Sequence, residues 1–122
     1  MNNLGEKDIL IDDIRIYLKI FKLFKSYLLL ISDQKEMGIG NVTLGSPPMV
    51  EGLKSIAASY NLFGVDKKLL STVISERASY ILKAPVLLLL FLKNDKKESE
   101  IAKPLINFLN EILLDLQNKN ND

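Results

Sequence analysis

Apolar and polar positions alternate most cleanly between Ile14 and Ile20. Ile14, Ile16, Leu18 and Ile20 fall on one side, and Arg15, Tyr17 and Lys19 on the other. A period of two predicts a strand with one dry face. At Phe21–Phe24 the apolar parity shifts by one, which predicts a bulge or the start of a turn. Lys19, Lys22 and Lys25 are three apart, so a helix competes for 14–24, but the β-branched alternation favours the strand. Upstream, Ile9–Ile11 is a short apolar run and Asp12–Asp13 reads as a turn. Residues 1–8 are expected to be frayed.

Tyr27–Ile31 is an unbroken apolar run, too short for an independent helix, and reads as a buried strand. The polar Ser32–Glu36 leads to a third strand within Met37–Gly45, hairpinned to the second, with Val42 and Leu44 alternating against Asn41 and Thr43. Pro47 and Pro48 stop it, because neither can donate to a ladder, and a loop follows to about Gly52. Ile56, Ala58, Tyr60 and Leu62 share one side of a fourth strand ending at Gly64. Asp66 is a good N-cap for a helix carrying Leu69, Leu70, Val73, Ile74, Arg77, Ala78, Ile81 and Leu82 at helical spacing, an apolar stripe broken only by Arg77. Pro85 ends that helix, and Val86–Leu92 reads as a strand near the centre of a sheet. Asp95 and Glu98 stand at capping-box spacing before a second stripe from Ile101 to Leu116. Pro104 fits a regular helix that begins near Glu100 or later. The asparagine-rich tail, 117–122, is expected to be frayed.

This order predicts an α+β fold in one domain, 1–122: a mostly antiparallel sheet of about five to six strands with two helices on one face. The runs Tyr27–Ile31 and Val86–Leu92 have no polar side, so both their faces need cover. Two helices cover one. The other predicts a sheet-to-sheet dimer, with a second copy or a related chain, and the interface candidates are Tyr27, Leu29, Ile31, Leu88 and Leu90.

Composition narrows the chemistry. Of 122 residues, 48% are hydrophobic and 25% charged, with a formal net charge of +1. That balance gives no reason to expect a nucleic-acid or membrane-surface partner. The absence of cysteine and histidine removes thiolate chemistry and the commonest general base and metal ligand. The polar segment Met1–Lys7 lacks the apolar core of a signal peptide, so a cytoplasmic protein is expected. Gly38-Ile39-Gly40 has part of a dinucleotide fingerprint, but position 43 is threonine and no helix follows to present its N-terminus to a phosphate. The acidic residues sit in turns and at helix starts, where capping and solvation account for them. The residues show no catalytic chemistry and no cofactor site, so the function is sought in surfaces.

The stretch from Tyr27 through Ile31 to Gln34-Lys35-Glu36-Met37-Gly38 resembles the apolar strand, glutamine-containing turn and Met-Gly of the proteasome assembly chaperone 3 family. The proline-containing loop, Asn61-Leu62-Phe63-Gly64, the helix from Asp66, Ala84-Pro85-Val86-Leu87-Leu88 and the final helix follow in that family's order. The likeness covers about three quarters of the chain, as of a divergent or archaeal-like member. It implies a small non-enzymatic α/β protein that pairs as a homodimer or heterodimer and assists assembly of the proteasome α-subunit ring. Residues for contact with an α subunit are then sought in the turn, at Gln34, Lys35, Met37 and Gly38, and in the loop, at Pro47, Pro48, Met49 and Val50. The alternative reading is a roadblock- or longin-like scaffold of a GTPase-regulating complex. Those modules usually place a helix where strands are predicted here, so the state of 14–24 discriminates.

Overall fold

A computed structural model describes residues 2–48 and 67–120 and, for 56–61, the path of the backbone. The elements are β1 (Asn2–Ile11), β2 (Ile14–Leu23), β3 (Ser26–Ser32), β4 (Asn41–Ser46), β5 (Ile56–Asn61), α1 (Lys68–Leu82), β6 (Val86–Phe91) and α2 (Glu98–Asn120). They form one mixed, mostly antiparallel six-stranded sheet in the order β1-β2-β3-β6-β4-β5, with both helices on one face. The α+β class read from the sequence is the observed one. Asp66, Leu62, Gly64 and the loop residues Met49 and Val50 lie outside the described residues.

β6 is central, as its apolar composition demands. It runs parallel to β3, from Tyr27↔Val86 to Ser32↔Phe91, and antiparallel to β4, from Asn41↔Leu90 to Gly45↔Val86. The expected hairpin between β3 and β4 is therefore absent. The eight residues 33–40 carry the chain past one strand position, and the strand with the greatest need of cover fills the gap.

The alternation in β2 is realised: Ile16, Leu18 and Ile20 are at most 1% exposed. Pairing with β3 stays regular to Leu23↔Ser26, so the parity shift at Phe21–Phe24 marks the approach to the turn Phe24–Lys25, with no bulge. The irregularity lies in β1, between Asn3 and Gly5. Residues 2–8, expected to be frayed, form most of β1. They are polar because β1 is an edge strand held by its backbone ladder and by exposed ion pairs, Asp8 with Arg15 at 2.5 Å and Glu6 with Lys19 at 3.8 Å.

α1 begins at Lys68 without a side-chain cap of its own. Its free donors are met from elsewhere: Leu70 N donates to the Glu98 carboxylate, and Lys67 N to Asn41 Oδ1 at 3.0 Å. Glu98, expected in a capping box of α2, thus also places its charge at the positive end of α1. The buried side of α1 is rotated from the expected stripe. Ser71, Ser75 and Ser79 are buried with Leu70, Ile74 and Ala78, while Leu69 and Val73 are exposed. Small residues let the helix approach β4 closely. A Cβ on Gly45 would stand 2.5 Å from the Ser75 carbonyl oxygen, and the Thr43 and Ser71 hydroxyls are 2.5 Å apart. α2 begins at Glu98, earlier than expected, with Pro104 inside it, and 117–120 are helical where fraying is expected. Ile101, Leu105, Leu109 and Leu113, at i,i+4 spacing, are fully buried against the sheet.

Lys83 follows α1 in the left-handed conformation, φ 54°. That position favours glycine. Lys83→Gly is expected to raise stability by about 0.5–1 kcal/mol, read as a higher denaturant midpoint at unchanged slope.

Candidate protein-binding surface

The inner face of the sheet takes one parity of each strand, and the helices seal it. Tyr27, Leu29 and Ile31 from β3 and Val86, Leu88 and Leu90 from β6 are at most 7% exposed. The five interface candidates Tyr27, Leu29, Ile31, Leu88 and Leu90 are thus core residues beneath the helices, and that assignment is corrected. The open face takes the other parity, Leu28 and Leu30 from β3 and Leu87, Leu89 and Phe91 from β6.

On the open face two cross-strand rows are apolar. Phe21, Leu28, Leu87 and Leu44 follow one another across β2, β3, β6 and β4, and Leu30, Leu89 and Val42 form the next row. Leu44 is 50% exposed, and the others are half-buried by one another. Four strands at about 4.8 Å spacing over some five residues give a flat footprint on the order of 300 Å2. Side-chain relief adds to that, reaching the size at which an apolar patch on a soluble protein is commonly functional. The β1–β2 side of the same face is charged, but its charges are largely matched by the Asp8–Arg15 and Glu6–Lys19 pairs.

A signal for the correct parity exists in the sequence. Pro85 and Lys93, which bracket β6 and are exposed, share parity with Leu87, Leu89 and Phe91, and Ser26 shares that of Leu28 and Leu30. The flanks distinguish faces that the apolar run itself does not.

The turn residues Gln34, Lys35, Met37 and Gly38 lie at the end where β3 and β6 finish. Gly38 passes so close to the Phe91 ring that a Cβ there would come within 2.6 Å of it. Gln34, Lys35, Glu36, Met37 and Gly38 line an open cleft with Phe91 and Lys93. The turn therefore borders the open face. Pro47 and Pro48 follow β4 at the opposite end, a six-residue strand away, or roughly 20 Å. The structure thus separates the two sets of candidate contact residues.

Asp33 fixes the start of the turn. Its carboxylate accepts from Lys93 N at 3.0 Å, Asn94 N at 2.8 Å and Asn94 Nδ2 at 3.0 Å, with Gln34 Nε2 at 3.2 Å. Ser32 Oγ accepts from Gln34 N and donates to Glu36 O. Partial burial pushes the Asp33 carboxyl up, but the donors from Lys93, Asn94 and Gln34 together outweigh it and hold it below the ordinary aspartate value of 3.8. Because the folded value lies below the unfolded one, this contribution to stability is full above the ordinary value. It disappears as pH falls through the folded value. Asp33→Asn is expected to cost about 1 kcal/mol near neutral pH, solvent screening included. The difference between variant and parent should shrink in denaturation curves taken progressively below pH 4.

No protein-family model matches the chain, and no curated protein matches it in sequence. Its fold is similar to that of a chain in the crystal structure of a chaperone complex for yeast 20S proteasome assembly. The TM-score is 0.58 at 10% sequence identity, over 93% of this chain and 96% of that one. At that identity the likeness is one of fold. It runs nearly end to end on both chains.

Proposed function

We propose that this chain is a non-enzymatic chaperone of proteasome assembly that works as a dimer and binds subunits of the α ring. The observation that carries this reading is an apolar sheet face that no described residue covers, on a fold shared nearly end to end with a chain of a proteasome-assembly chaperone complex. In the dimer, Leu28, Leu30, Leu87, Leu89 and Leu44 would meet their counterparts on a second copy or a related chain, with the helices outside. The full six-stranded face approaches the roughly 800 Å2 per partner of a standard interface. The turn at Gln34–Gly38 and the Pro47–Pro48 segment remain at the two ends of such a sandwich, open to an α subunit. A cytoplasmic location goes with this reading. No helix among the described residues is long and apolar enough to cross a membrane.

The scaffold alternative is less well supported, because residues 14–23 are strand where those modules usually place helix. Sedimentation at micromolar concentration tests the dimer: a two-chain mass is expected, and a single-chain mass at tens of micromolar would contradict it. Titration with purified α subunits tests the partner, with saturable binding to at least one of them expected.

A further inference from the structure

The sheet has two ends, and they differ in charge. At the end where β3 and β6 finish, the segments Asp12–Asp13, Asp33–Glu36 and Lys93–Glu98 mix both signs. The opposite end gathers the start of β1, the β2–β3 turn, the start of β6 and the exit of β4, as the pairs Asn2↔Lys22, Leu23↔Ser26, Tyr27↔Val86 and Gly45↔Val86 fix. The described charges of these segments are Lys22, Lys25 and Lys83, and none of their described residues is acidic; the 23-residue α2, which starts at the other end, adds Asp115 and Lys119 in its last turns. The apolar groups of these segments are Phe24, Pro85, Pro47 and Pro48. Phe24 is 87% exposed at the tip of the turn, and Pro85 is also exposed.

The turn itself goes against local chemistry. β1–β2 and β2–β3 are both joined by two residues, and each joint holds one residue with left-handed backbone, Asp12 at φ 55° and Lys25 at φ 53°. Asp12–Asp13 suits such a turn, since aspartate tolerates that backbone and is well solvated. Phe24–Lys25 suits it in neither respect. Lys22 lies over the Tyr27 ring at 4.3 Å, but the Phe24 ring touches none of the core. A protruding aromatic with the Lys25 ammonium 5.4 Å from its ring centre has the form of an interface anchor.

We propose that this end of the sheet is the surface that docks on the α subunit, with Phe24 as anchor, and that its complement is an acidic protein surface holding an apolar pocket. This rests on the assembly-chaperone reading and assigns its contact to the Pro47–Pro48 end, away from the Gln34–Gly38 turn.

The test compares the full chain with Phe24→Ser, Lys25→Asn, Lys83→Asn and Met37→Ser, titrated against each purified α subunit at low and at high salt. Asparagine accepts left-handed backbone, so both lysine variants remove charge without straining the fold. Thermal melts should show Phe24→Ser as stable as the parent. On a subunit that the parent binds, Phe24→Ser is expected to weaken binding at least tenfold. The two lysine variants should weaken it severalfold and flatten its salt dependence, and Met37→Ser should leave it unchanged. Equal binding by Phe24→Ser and the parent overturns this inference and leaves the chaperone reading standing. So does loss with Met37→Ser alone, or a Phe24-dependent affinity for phosphatidylserine vesicles with subunit binding intact. A parent that binds no α subunit overturns both.

Discussion

Leu88→Asp is expected to leave no cooperatively folded protein, whereas Leu89→Asp, one residue along the same strand, should leave a folded chain of changed mass. Leu88 is fully buried between the central strand and the helices. An aspartate there has no partner and no water. Several kcal/mol of desolvation falls against a total stability of roughly 5–15 kcal/mol. Leu89 stands on the open face between Leu30 and Val42, in contact with solvent. An aspartate there stays hydrated in a single chain and is forced into burial only when another sheet covers it. The expected results are a lost melting transition for Leu88→Asp. For Leu89→Asp they are a retained far-ultraviolet spectrum and a shift from two-chain to one-chain mass in sedimentation. Loss of folding in both variants would show that the sheet has no free face.

Gly45→Ala is the second large effect, with an expected loss of about 3 kcal/mol and a fall in melting temperature of about 10 °C or more. The new methyl would sit 2.5 Å from the Ser75 carbonyl oxygen and 2.9 Å from its carbon. These are backbone atoms in the middle of α1, so no side-chain rotation makes room. The helix would have to lift from β4, and the buried contacts Thr43–Ser71 and Lys67 N–Asn41 would stretch with it. Adding Ser75→Gly should restore little, because it leaves the clashing carbonyl in place. Full rescue by that second change would mean that α1 packs less closely than its small residues imply.

These two positions show where sequence reasoning succeeds and where it stops. Alternation fixes a face when one side is polar, as in β2, whose Ile16, Leu18 and Ile20 were expected inside and are inside. It cannot do so in Val86–Phe91, where every residue is apolar, and choosing between Leu88 and Leu89 needed the flanking Pro85 and Lys93. Long-range order was equally hidden. Nothing local says that β6, reached only after α1, enters between β3 and β4, because the gain is cover for β6 itself. Serines at 71, 75 and 79 read as a polar helix side, and only the glycine opposite them on β4 explains why that side is buried. β1 was illegible for a related reason. As an edge strand it is held by backbone pairing, so its side chains stay charged and carry no hydrophobic period. Of the candidate site, the turn and the proline segment were legible as irregular, partly apolar stretches, but their placement at opposite ends follows from the topology alone.

Mass identification of what travels with the tagged chain, recovered intact at native abundance from its own cells, decides whether this chain is a chaperone of proteasome assembly. The expected companions are α subunits and incomplete rings, together with a second copy of this chain or a related one, and no finished particle. Recovery of finished particles, or of a stable partner with no α subunit present, would contradict that role.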